Sequence, residues 1–292
     1  MPRSTVTDSE ANTPESKLTE LEMTLRTEGN KDKCIVMVEG PDDRKFYLRF
    51  VDDACVVVKA MKGCAHLPQI IALLENGHPL KDRIIGIKDA DFDHVLGVNY
   101  GLDNLFVTDT HDWETMAMVD HCEEQVSIEA LDRREAGLFN TVMRDIINYS
   151  FLKLYNSVEI CGNNLDGVLF EGLKLFGVYN GNDSIRLDDC LEKVKNHGNN
   201  ARLVHFPQEQ DIERFKQRYP DIDLLQLSCG HDVIHCLIYK LTSVLDRSPE
   251  IGYSNIERLL RVSYPLEIFK TTQLYQKVAD WSNEHNKTIW AA

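Results

Sequence analysis

The run Ile84–Asp91 (IIGIKDAD) decides how this chain is read. A short apolar stretch rich in β-branched residues passes with little spacing into paired carboxylates. Such a run marks a strand buried on both faces, as in a parallel sheet. The same form recurs on either side. Cys34–Val38 (CIVMV) leads into Glu39-Gly40-Pro41-Asp42-Asp43, and Leu105–Val107 (LFV) leads into Thr108-Asp109-Thr110-His111-Asp112-Trp113-Glu114. Ala54–Val58 (ACVVV) reads as a further strand. Helical spacing fills the intervals at Asp42–Phe50 and Leu67–Glu75, and Asp112–Val119 opens another helix. Strands alternating with helices predict an α/β unit over residues 33–125, a parallel sheet flanked by helices.

Residues 1–32 read as a polar leader and one helix. Thr13-Pro14-Glu15 combines a capping hydroxyl, a proline at the first helical position and an early carboxylate; Leu18, Leu21 and Leu25 supply the apolar face. After Val126 strand signals nearly vanish, so residues 126–292 read as a mainly helical region packed on the sheet unit. Helical periodicity covers 127–155, 165–176, 187–196, 209–218, 231–245, 254–262 and 266–282. Arg202–Phe206 and Leu224–Leu227 are candidate added strands.

Composition narrows the function. Of 292 residues, 32 are basic and 47 acidic, a formal net charge of −15. Proteins that grip long nucleic acid unaided draw affinity from a basic excess, so action on nucleic acid here calls for a local basic patch, a metal or a partner. No apolar run approaches the roughly 20 residues of a bilayer span, and the first residues lack the apolar stretch of a secretory signal. The eight cysteines form no CxxC pair, which predicts a reduced, cytoplasmic protein without membrane association.

Acids stand at three strand ends, where functional groups collect in an open parallel sheet. If the strands are neighbours, the carboxylates converge, and crowded carboxylates are relieved by a divalent cation. Each cluster alone also reads as turn or helix-cap chemistry; their recurrence favours a metal site. His111 is a candidate base near neutral pH. Lys62 and Lys88 are auxiliary candidates for offsetting transition-state charge, against a plain reading as solvated surface lysines. His231 and His235, at i and i+4, have a zinc-compatible spacing, weighed against core packing. Trp281 and Trp290 read as C-terminal packing, Trp290 as a partner contact if exposed.

The segments VEGPDD (Val38–Asp43), GIKDAD (Gly86–Asp91) and DTHDWE (Asp109–Glu114) resemble the Toprim fold of topoisomerases, primases and OLD-type nucleases. They are most similar to a Toprim-like family that includes the nuclease effector of PARIS anti-phage defence. The resemblance runs to about residue 120, with weaker likenesses in Ser228–Asp232 and Phe269–Trp281. It implies that Glu39 is the Toprim glutamate, a metal ligand or general acid/base, and that Asp43 is the second acid of the OLD-type branch. It implies that Asp89 and Asp91 are the ion-holding DxD pair, and that Glu114 is a ligand of a second ion. The catalytic set is then Glu39, Asp89 and Asp91, with Mg²⁺ or Mn²⁺, two ions in all, as cofactor. The implied activity is nuclease cleavage of DNA or RNA, tRNA included. The implied partners are nucleic acid and an ABC- or AAA-type ATPase, with a homodimer as the active form. Lys62-Gly63 resembles the glycine-rich turn after the second strand. Phe92-Asp93-His94 departs from the Arg-Glu-Gly that follows DxD in topoisomerases, which argues against that class. Two other readings stay open: a phosphatase of haloacid dehalogenase type, with Asp89 as nucleophile, and a non-catalytic Toprim-like regulatory subunit.

Overall fold

The computed structural model describes residues 13–61, 67–175, 177–245 and 251–291. The chain packs as two compact units interleaved along the sequence. The first holds the residues up to Ala90, then Val98–Asp109 and Pro265–Ala292; the second holds Asp91–Gly97 and Thr110–Tyr264.

The first unit contains a four-stranded sheet, with β1 at Cys34–Val38, β2 at Val56–Ala60, β3 at Ile84–Lys88 and β4 at Leu105–Val107. Every pairing is parallel and the order is β2-β1-β3-β4. The α/β class expected from the sequence is therefore the one observed. Strands β1 and β3 are buried at every position, whereas β2 and β4 carry partly exposed residues, as central and edge strands should. Ile35, Met37 and Ile84 pack with Leu21 and Leu25 of the helix Pro14–Arg26 and with Leu67, Ile70, Ile71 and Leu74 of the helix Leu67–Glu75. Side chains alternate along a strand, and the other set, Cys34, Val36 and Val38, is equally shielded from water. Strand β2 begins two residues later than predicted, because Cys55 donates its N–H to the Asp52 carbonyl in a tight turn (3.0 Å).

The last segment of the chain belongs to this unit, not to the helical region to which residues 126–292 were assigned on sequence. Both carboxylate oxygens of Asp109 accept the opening N–H groups of the helix Gln273–Glu284, from Gln273 at 2.6 Å and Leu274 at 2.7 Å. The indole of Trp281 donates to Asn104 Oδ1 at 3.0 Å. Trp290 forms an antiparallel bridge with Val51. Its ring lies parallel to Tyr275 at 5.5 Å and its Nε1 donates to the Tyr275 carbonyl. At 7 % exposure Trp290 is core, as the packing reading expects, and the condition for a partner contact, exposure, is not met. The predicted 266–282 helix is two helices, Leu266–Phe269 and Gln273–Glu284, the second capped by the Thr272 hydroxyl.

The second unit is helical: Asp120–Leu131, Leu138–Asp145, Ile147–Tyr155, Leu187–Lys195, Glu209–Lys216, Gly230–Leu245 and Tyr253–Ser263 are its longer helices. Asp132 and Gly137, both at positive φ, break the predicted 127–155 helix, and Glu123 accepts the N–H of Phe139 at 2.7 Å to cap the next one. Leu224–Leu227 is a helical turn capped by Asp223, not a strand. Arg202–Phe206 begins on the last residue of the 3₁₀ turn Asn200–Arg202 and is likewise no strand. The predicted 165–176 helix is not formed in the described residues; Asn164 and Gly172 adopt left-handed backbone there. No helix among the described residues is long and apolar enough to cross a membrane. The seven described cysteines are all free.

Removing a carboxylate that caps a helix costs about 1–2 kcal/mol. Asp109→Ala should lower unfolding stability by that amount, read from the urea midpoint, with Asp109→Asn recovering part of the loss.

Candidate functional site

The chain leaves β1 for β2 on one side and returns to β3 on the other, so the sheet has its topological switch point between β1 and β3. The crevice outside the carboxyl ends of two such strands is where open α/β sheets place ligand groups. Glu39 follows the last residue of β1, and Asp89 follows the last residue of β3. The backbone N–H of Asp89 donates to Glu39 Oε1 at 3.3 Å, so these two predicted residues are brought together. The N–H of Ala90 donates to Thr108 Oγ1 at 2.8 Å, tying the turn after β3 to the end of β4. Asp43, in the first turn of the helix Pro41–Tyr47, turns its carboxylate back onto the Gly40 N–H.

Lys88 corrects an expectation. It is 7 % exposed, not a solvated surface lysine; its Nζ donates to the Asp89 carbonyl and stands 6.0 Å from the Tyr100 ring centre. Lys62, with Gly63, lies outside the described residues. Elsewhere in this unit a cavity of about 630 Å³ is lined by Glu75, Lys81, Asp82, Asp103 and Trp281, with none of the predicted site residues on its wall.

The other predicted residues belong to the second unit. Asp91 sits at φ +48°, a left-handed conformation that short polar side chains tolerate. Its N–H donates to the His111 carbonyl at 2.7 Å. Glu114 is in the first turn of the short helix Trp113–Met116. Asp112 caps that helix, with Oδ1 accepting the Thr115 N–H at 2.8 Å, while its Oδ2 accepts the Gly230 N–H at 2.7 Å. One carboxylate thus fastens the starts of two helices. Gly230 permits the approach: a Cβ there would lie 2.4 Å from Glu114 Cβ and 2.6 Å from Asp112 Oδ1.

His111 is buried, its ring edge-on to Phe92 and its Nδ1 3.3 Å from the Gln226 carbonyl. His111, Asp112 and Cys229 bring one ligating atom each to within 4.8 Å of one another. Sequence reading placed Cys229 in the Ser228–Asp232 likeness but did not bring it to His111, which lies far along the chain from it. Burial pushes the Cys229 thiol well above its ordinary value. Lys153 is paired with Asp232 at 2.6 Å: burial lowers its pKa, and the charge and hydrogen bond of Asp232 work against that.

His231 and His235 do not pack in the core, the reading weighed on sequence against a zinc site. His231 is exposed and bonded through Nδ1 to the Tyr253 hydroxyl; His235 is partly exposed and stacks on the Tyr253 ring at 4.3 Å. Burial, then His231 and Lys174, lower the His235 pKa below 6.5. Burial, then Glu114 and Glu257, push the Tyr253 hydroxyl up.

Comparison of the chain with models of known protein families and with curated proteins found no match.

Two outcomes follow from this geometry. Gly230→Ala must displace Glu114 or the helix start, and overpacking of this kind costs about 1–3 kcal/mol, measurable by thermal denaturation. His235 binds its proton less readily folded than unfolded, so the unfolded chain takes up more protons below 6.5. Stability falls as pH drops from 7 towards 5, and the slope should be shallower in His235→Asn, as read by urea midpoints across that range.

Proposed function

We propose that this protein is a metal-dependent nuclease of Toprim type, the toxic effector of an anti-phage defence system in the cytoplasm. In this reading an ABC- or AAA-type ATPase holds it, and a homodimer is the active form. The reading rests on one observation above the rest: Glu39 and Asp89 occupy the carboxyl ends of β1 and β3 at the switch point, with the Asp89 N–H on Glu39 Oε1.

The donor set fits the metal. Glu39, Asp43 and Asp89 offer only carboxylate oxygens, the hard ligands that suit Mg²⁺ or Mn²⁺. Asp91 and Glu114 are assigned as further ligands by the family resemblance. When bound, two such ions polarise a phosphoryl oxygen and lower the pKa of water. The Asp89 N–H orients the Glu39 carboxylate, which takes up the proton of the attacking water. Lys88, shielded from solvent at the end of β3, sets a fixed positive charge against the charge gathering on the phosphoryl oxygens. The acidic balance of −15 fits a protein that depends on a partner to bring nucleic acid to it.

The full chain, freed of any inhibitory partner, should cut DNA or RNA, with tRNA among the substrates tried, in Mg²⁺ or Mn²⁺ and not in EDTA. Glu39→Ala and Asp89→Ala should each slow cleavage by roughly a hundredfold or more. Absence of cleavage with either metal, or a Glu39→Ala variant as active as the parent, refutes the proposal. An aspartyl-phosphate trapped at Asp89 would instead place the chain among phosphatases.

A further inference from the structure

We infer that His111, Asp112 and Cys229 form a site for a single zinc ion in the helical unit. The three donors, an imidazole nitrogen, a carboxylate oxygen and a thiol sulfur, already lie within 4.8 Å of one another. Ligands held about 2.0–2.3 Å from a tetrahedral zinc stand roughly 3.3–3.8 Å apart, so small side-chain adjustments close the cage. Two of the donors also have supporting partners of their own. The Gln226 carbonyl faces His111 Nδ1 at 3.3 Å, which makes Nδ1 the protonated nitrogen and leaves Nε2 as the ligand, the arrangement that orients metal-binding histidines. The Asp112 carboxylate is fixed by backbone N–H groups of Thr115 at 2.8 Å and Gly230 at 2.7 Å, and each oxygen keeps a second lone pair.

The residue next to Cys229 in the chain carries an unsatisfied polar group. Ser228, the residue before Cys229, is fully buried, and its hydroxyl has no hydrogen-bond partner among the described residues. Buried hydroxyls are ordinarily paired with protein or water; the case for the ion stands on the three donors. The chemistry of the donors selects the metal. Thiolate and imidazole with one carboxylate suit zinc and exclude Mg²⁺ or Ca²⁺ as the preferred occupant. On binding, the Cys229 thiol gives its proton to solvent and its sulfur bonds the metal. Three protein ligands leave the fourth position to water, as in zinc sites open to chemistry.

The competing account makes Asp112 a helix cap and Cys229 a packed thiol, with no ion. The full chain, stripped with chelator and reloaded with Zn²⁺ alone, should hold one zinc per chain by elemental analysis after dialysis. Excess Mg²⁺ should not displace it. Co²⁺ used as a probe should give tetrahedral visible bands and a thiolate-to-cobalt charge-transfer band, which Cys229→Ser abolishes and Cys236→Ser leaves intact. His111→Ala should weaken zinc binding by about tenfold or more. If the parent chain holds no zinc, or if Cys229→Ser and His111→Ala keep native circular dichroism and bind as the parent does, the site is refuted. If both variants unfold, the parent chain decides: a melting temperature raised by zinc and lowered by chelator supports the site, and one unmoved by either overturns it. None of these readings depends on nuclease activity.

Discussion

Strands β1 and β3 are each five residues long and buried on both faces. Their backbone N–H and C=O groups cannot reach water, so they must be satisfied by strands alongside, and each needs a neighbour on both edges. That requirement makes β1 pair with β2 and β3, and β3 with β1 and β4. It also makes the chain reverse its direction of travel across the sheet between β1 and β3. The residues emerging there, Glu39 and Asp89, become neighbours although fifty positions separate them. The meeting of Glu39 and Asp89 follows from backbone accounting before any side-chain chemistry is considered.

The sheet is completed by the far end of the chain. Asp109, just past β4, supplies acceptors that the helix Gln273–Glu284 lacks at its start, since opening N–H groups have no partner within their own helix. Asn104, just before β4, accepts from Trp281 and donates to the Ile84 carbonyl at 2.9 Å. Two polar side chains bracketing a three-residue edge strand therefore moor one helix. An acid that looks functional by its place at a strand end is here occupied by a structural task.

In the helical unit a related economy operates at Asp112, one carboxylate that begins two helices and lies beside an imidazole and a thiol. Such a junction requires Gly230, since any side chain there would strike Glu114 and Asp112. The family resemblance implies oxygen ligands and magnesium; this junction offers a nitrogen and a sulfur whose preferences differ. Both chemistries come from short polar stretches following strands or preceding helices, where backbone groups need partners and polar side chains gather.

Local pattern determined much of this protein. Cys34–Val38 and Leu105–Val107 were legible as strands, and Leu67–Glu75 as a helix, because burial on two faces or one stripe leaves a direct imprint on residue choice. The placement of Glu39 and Asp89 at strand ends was legible for the same reason. Tertiary structure alone decided the strand order, the return of residues 265–292 to the sheet unit, the burial of Lys88 and Trp290, and the meeting of Cys229 with His111. It also overruled the periodicity of 165–176 and Leu224–Leu227. Each of those outcomes depends on groups far apart in the chain satisfying one another's hydrogen bonds or filling one another's space, and a local pattern carries no record of which distant partner will do so.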